Sequence, residues 1–246
     1  MKSLPQILHT ISYMGLPLLL AMVLHEYAHG WLADKCGDST ARSQGRLTMN
    51  PLAHVDPFGT VILPLICLLL PGSFLLGWAK PVPIDSRSLR NPRRDMALVA
   101  AAGPGMNLTL AVVSALLLAL LLTLEPTLSL RASTDAEAQS SVVTAMFLRP
   151  IAVMALYSVI INVFLALFNL IPIPPLDGGR ILTCLLPARP ARALARLEPY
   201  GMLILVGLIV FDKELQVIHT ITNTFAAGLS GTILSTALSL RGGDGQ

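Results

Sequence analysis

The chain has 246 residues, 54% of them hydrophobic and 13% charged, with a formal net charge of +3. That charged fraction is about half the share usual in soluble domains, so a membrane protein is the expected class. The small, dispersed positive balance argues against nucleic-acid binding, and three separated cysteines (Cys36, Cys67, Cys184) argue against a disulfide framework or zinc ribbon.

A bilayer core of about 30 Å needs roughly 20 apolar residues per helix. In chain order, clear stretches are residues 4–24, 96–124 and 151–171, and weaker ones are 58–78, 217–240, which Thr, Ser and Asn dilute, and 200–211, whose 12 residues cannot span unless flanking residues join them. The first lacks a small-residue cleavage site and is read as a retained helix, not a signal peptide. It runs straight into VLHEYAHGW, residues 23–31. Within it, His25-Glu26-x-x-His29 puts two imidazoles one helical turn apart on one face, close enough to grip one ion, with zinc expected. Glu26 is offset by about 100° and can take a proton from a bound water without being a ligand. A belt of polar groups at a helix end is the structural alternative. Against it stands the cost of ionisable groups in a span, where they mark function by default.

Two histidines leave a catalytic zinc one protein ligand short. The best candidate is Asp177, in FNLIPIPPLDGGRIL. Pro172, Pro174 and Pro175 end the preceding helix, because each lacks an N–H and holds its predecessor extended. Irregular backbone at membrane depth is tolerated only where it is buried in protein or lines a cavity. Taken alone, an Asp-Gly turn at the membrane surface would explain the same residues.

HEYAHG followed by N-x-x-P-x-P-P-L-D-G resembles the site-2 protease family of intramembrane zinc metalloproteases, and both motifs are complete and in the family's order. The resemblance implies one zinc per chain held by His25, His29 and Asp177, with Glu26 as general base. It also implies that Asn169 hydrogen-bonds the substrate strand or the oxyanion; a plain interhelical hydrogen bond is the alternative. AAGPGMNL, residues 101–108, is similar to a small-residue element of the family, with Gly103 and Gly105 allowing close helix approach and Asn107 one cross-helix hydrogen bond. The likeness covers roughly residues 15–185. The implied fold is an all-α polytopic bundle of about five or six transmembrane segments with a small membrane-embedded β-hairpin or re-entrant element.

On this reading residues 1–197 form the protease core: the HExxH helix, a re-entrant region at about 40–90, a middle helix at about 96–124 and an LDG helix at about 151–186. Residues 198–246 form C-terminal helices without a motif. If His29 and Asp177 share one zinc, the ends of their helices lie on one side, and so do Ala33 and Asp95. Residues 58–78 are then re-entrant, which Pro64 and Pro71-Gly72 permit. This arrangement gathers most of the 17 basic residues on the side of the active site, which the positive-inside rule makes cytoplasmic. The arginines between Arg87 and Arg94 are expected at the membrane surface near anionic lipid.

GRLTMNPLAHVDPFGT and GWAKPVPID are Gly/Pro-punctuated with short extended runs, and the resemblance implies that they form the family's substrate-presenting hairpin. A helix hides its amides in internal hydrogen bonds, so a protease must unwind it and hold an extended strand. His54 and Asp56 would serve there as gate or second-ion ligands or, the favoured reading, as satisfied side chains of a proline-flanked turn. His9 and His219 receive no role. No PDZ or CBS segment is recognised, and the insertion at 125–150 is too short for a domain.

The expected activity is endoproteolysis in or near a transmembrane segment of another protein, by an integral multi-pass protein whose partners are that substrate and the bilayer. A metal transporter would need further ligands along a path, and the middle helices offer only Asn107 and Asn162. A non-catalytic scaffold would not need Glu26 and Asp177, and both are present.

Overall fold

The computed structural model describes residues 4–63, 65, 78–125, 128 and 144–201. Its helices are α1 (Leu4–Lys35), α2 (Thr40–Ser43), α3 (Pro92–Leu124), α4 (Arg149–Asn169), α5 (Asp177–Leu185) and α6 (Ala188–Ala195). Three stretches are long and apolar enough to cross a membrane: Ile11–Lys35, Pro92–Leu124 and Met146–Asn169. These match the expected spans at 4–24, 96–124 and 151–171. The expected segments at 200–211 and 217–240 fall almost wholly outside the described residues, as do Cys67 and His219.

Helix boundaries follow local chemistry. α1 runs past the histidine motif to Lys35, and Gly37 turns the chain out of it at φ 111°, a conformation glycine adopts without a Cβ clash. α3 starts at Pro92, whose missing N–H costs nothing in a first turn, and Asp95 accepts the Asn91 N–H at 2.7 Å. α4 stops before Pro172, so the expected LDG helix at 151–186 is two helices, α4 and α5, joined by an irregular proline-rich linker.

α1, α3 and α4 pack against one another. Many of the buried contact residues are alanines: Ala21, Ala28 and Ala33 on α1, Ala100 and Ala111 on α3, Ala152, Ala155 and Ala166 on α4. Small residues let backbones approach where lipid supplies no hydrophobic drive between helices. Leu108, Val112, Leu116 and Leu120 leave an exposed apolar face on α3, suited to acyl chains.

Hydrogen bonds establish the helix directions. Along α1 and α3 the partners run in opposite order, His25 with Asn107 and His29 with Val99, so these helices are antiparallel. Ser114 meets Ser158 midway along α4, and Arg93 at the start of α3 reaches the Leu186 carbonyl after α5. The end of α1, the start of α3 and Asp177 therefore share one end of the bundle, the parity expected from the sequence.

The connection from α1 to α3 returns to the end it left. The Arg90 N–H donates to the Cys36 carbonyl at 3.0 Å, and fully buried Asp38 accepts the Asp85 N–H at 2.7 Å. Within it, the Trp78 N–H donates to the Gly59 carbonyl at 3.1 Å. Gly59 and Trp78, near the two ends of the expected segment at 58–78, therefore lie side by side. Most of the stretch between them lies outside the described residues. No strand occurs among the described residues; 46–50 and 78–85 run as irregular chain joined by the Arg46 side chain, which donates to the Lys80 and Pro81 carbonyls.

Candidate metal centre

α1 carries His25 and His29 one turn apart, and both side chains are buried against α3. His29 Nδ1 lies 2.7 Å from the Val99 carbonyl oxygen, which only accepts, so Nδ1 bears the proton and Nε2 presents a lone pair. His25 Nδ1 lies 2.7 Å from Asn107 Oδ1, with the same consequence. Such partners for the far nitrogen are the usual outer shell of metal-binding histidines.

Asp177 completes the group from the first residue of α5. Gly178 and Gly179 allow its approach: a methyl group on Gly178 would stand 2.2 Å from the Leu170 carbonyl oxygen, and one on Gly179 2.5 Å from Pro174 N. α5 therefore nests against the linker, with Asp177 turned to the histidines.

The donor atoms form a nearly equilateral triangle. His25 Nε2 and His29 Nε2 are 3.1 Å apart, and Asp177 Oδ2 lies 3.2 and 3.3 Å from them. Tetrahedral zinc with bonds of about 2.0–2.1 Å sets neighbouring donors about 3.3 Å apart, so the triangle matches one face of that tetrahedron. Asp177 Oδ2 is buried without a hydrogen-bond partner. A proton on one Nε2 would satisfy one edge and leave the other histidine's lone pair opposed; a cation satisfies all three atoms. The residues present therefore fit a zinc ion.

Glu26 is outside this triangle. Its Oε2 accepts the backbone N–H of Val82 at 2.8 Å, which ties α1 to the 78–85 segment. Asn169, at the end of α4, is not one of the converging groups: its amide donates to the Leu165 carbonyl of its own helix at 2.9 Å. His54 and Asp56 also stay apart from the cluster. His54 is buried with Nε2 on the Thr48 carbonyl at 2.8 Å, while Asp56 caps the helical turn Pro57–Ile62 through the Phe58 and Gly59 amides. These contacts are those of the proline-flanked turn. Burial pushes the Cys36 and Cys184 thiols up, keeping both protonated at neutral pH.

The cross-helix partner expected for Asn107 is His25 itself, and Asn107 is fully buried. Gly103, one turn earlier, lies against both imidazoles: a methyl group there would stand 2.4 Å from His29 Nε2 and 2.6 Å from His25 Nε2. Sequence reasoning missed the Val99 carbonyl and the Val82 amide. For Val99 a signal exists, since Val99, Gly103 and Asn107 share a helical face and a glycine four residues on leaves a helical carbonyl open to the side. For Val82 the only cue is that it carries the one N–H in Pro81-Val82-Pro83.

The model of peptidase family M50 matches residues 13–211. YwhC of Bacillus subtilis, which bears the name of a candidate zinc metalloprotease, is 36% identical over 203 residues, 82% of this chain and 82% of its own length. Rip2 of Mycolicibacterium smegmatis, named in the same way, is 32% identical over 206 residues, 81% of this chain and 70% of its own. Rip2 of Mycobacterium tuberculosis H37Rv is 29% identical over 192 residues, 78% and 64% respectively. No solved structure matches the chain. With the family match extending over most of the sequence and over both halves of the metal centre, the chain belongs to peptidase family M50, the site-2 protease family of zinc metalloproteases.

Proposed function

We propose that this protein is an intramembrane zinc endopeptidase that hydrolyses peptide bonds in or near transmembrane segments of other membrane proteins. The observation that carries the reading is the buried triangle of His25, His29 and Asp177, with Glu26 beside it, on helices apolar enough for lipid. His25, His29 and Asp177 hold one zinc per chain. Zinc bound there supplies a Lewis acid and brings the pKa of water towards neutrality. Glu26 takes the proton of the attacking water and returns it to the leaving amine. Asn169 hydrogen-bonds the substrate strand or the oxyanion, and in doing so releases its amide from Leu165.

The protein is multi-pass, with the about five or six spans that the family resemblance implies and with a re-entrant or hairpin element between Gly59 and Trp78. The joined ends of that element and the return of the chain from Cys36 to Arg90 support this topology. Basic residues concentrated at the metal-centre end favour a cytoplasmic position for the site. The partners are the bilayer and a substrate with a transmembrane segment.

Two measurements test the proposal. Purified wild type and Glu26→Gln should each carry about one zinc, and Asp177→Ala much less. Membranes from cells producing wild type should contain new protein N-termini within or beside transmembrane segments, absent with Glu26→Gln. Full zinc in Asp177→Ala, or identical N-termini in both membranes, would overturn the reading.

A further inference from the structure

Pro81-Val82-Pro83 has one amide proton, and that proton sits on the side chain assigned as general base. Each residue that precedes a proline, Lys80 and Val82, is held extended. The Val82 N–H donates to Glu26 Oε2 at 2.8 Å. The Val82 side chain is buried against Gly30, one turn beyond Glu26 on α1, where a methyl group would come within 2.9 Å of Val82 Cγ1. Arg46 holds the same segment: its Nη2 donates to the Lys80 and Pro81 carbonyls at 3.0 and 3.1 Å, and its Nη1 donates to the Ala53 carbonyl. The Lys80 N–H closes on the His54 carbonyl at 2.9 Å.

We propose that Arg46 is a positioning residue for the general base: it grips the Lys80 and Pro81 carbonyls and, through the Val82 amide, holds the Glu26 carboxylate in its working orientation. The inference rests on the metalloprotease reading of Glu26. A free glutamate side chain samples several rotamers, and one oxygen pinned by a rigid backbone donor leaves the other directed to the reacting water. A misplacement of about 1 Å costs up to about 100-fold in rate. A planar guanidinium can bind several carbonyls at once, which an ammonium does less well. Arg46 contacts none of the three metal ligands in this arrangement, so its loss should alter turnover and not metal content.

The test uses the full chain in nanodiscs. Amide exchange is followed by mass spectrometry in overlapping peptides across residues 79–84, where neither proline contributes a proton and Val82 is resolved by difference. Arg46→Met should speed Val82 exchange at least tenfold, retain about one zinc, and lower kcat ten- to 100-fold with KM within twofold, measured on a membrane segment cleaved by wild type and not by Glu26→Gln. Arg46→Lys should recover part of kcat. Glu26→Ala should free the Val82 amide without touching Arg46, and Glu26→Gln, which keeps an acceptor, should protect it; this pair serves if Arg46→Met fails to fold.

Unchanged Val82 exchange in Arg46→Met or in Glu26→Ala would overturn the proposal. So would faster exchange with kcat unaltered, or an effect confined to KM. A wild type that binds no zinc or cleaves nothing would instead bring down the protease reading, and the positioning role with it, while the exchange data would still report whether the contact exists.

Discussion

Replacement of Gly103 by alanine tests whether α3 forms a wall of the metal centre. The added methyl would stand 2.4 Å from His29 Nε2, 2.6 Å from His25 Nε2 and 2.6 Å from His25 Cε1. Ordinary contact begins near 3.5 Å, so both imidazoles must retreat by about 1 Å, or α3 must move away by as much. Metal sites hold their distances within about 0.2 Å, and loss of an outer-shell partner alone costs about 10- to 100-fold in affinity. Displacing two ligands together should therefore weaken zinc by at least about 100-fold, equivalent to about 2.7 kcal/mol at 1.36 kcal/mol per tenfold change. Gly105, two residues on in the same Gly-Pro-Gly, provides the control, because a methyl there meets nothing within 4 Å. Competition against a chromogenic chelator would give the affinities, and thermal unfolding in the same detergent would show whether each variant is folded. The reasoning fails if Gly103→Ala binds zinc as tightly as wild type, or if Gly105→Ala loses zinc equally.

Three further substitutions probe the surroundings. Asn107→Ala removes the acceptor of the His25 Nδ1 proton and should lower zinc affinity by about 10- to 100-fold, read in the same chelator competition. Gly178→Ala sets a methyl 2.2 Å from the Leu170 carbonyl oxygen, a backbone atom that cannot swing aside, and should destabilise the fold by about 3 kcal/mol or more, seen as a fall in unfolding midpoint with loss of zinc. Ser114→Ala and Ser158→Ala, alone and together, should give a coupling energy near about 0.6 kcal/mol in a double-mutant cycle of unfolding, since their 2.8 Å interhelical bond lies in the apolar span far from the metal centre.

The amino-acid sequence by itself determined the membrane class, three of the spans and the two separate halves of the candidate metal centre, because each is encoded locally. Twenty apolar residues suffice to read a span, a spacing of four sets His25 and His29 on one helical face, and the prolines before Asp177 stop a helix wherever they occur. Helix parity was also legible, because one ion cannot be held from both ends of a bundle. Joining His25-Glu26-x-x-His29 to Asp177 across about 150 residues depended on knowing that such motifs travel together.

Only the tertiary structure decided what surrounds those residues. That Asn107 serves His25, that the Val99 carbonyl selects the His29 tautomer and that Gly103 leaves room for both rings follow from how far α3 has rotated and slid along α1, which no spacing within one helix records. The hold of Val82 and Arg46 on Glu26 is still less legible. A backbone N–H and a backbone carbonyl are the same in every non-proline residue, so their partners are chosen by the path of the chain and not by the identity of the side chain. For the same reason the linker before Asp177 can be read as a break in a helix, while its final course depends on α5 pressing two glycines against the Leu170 and Ile173 backbone.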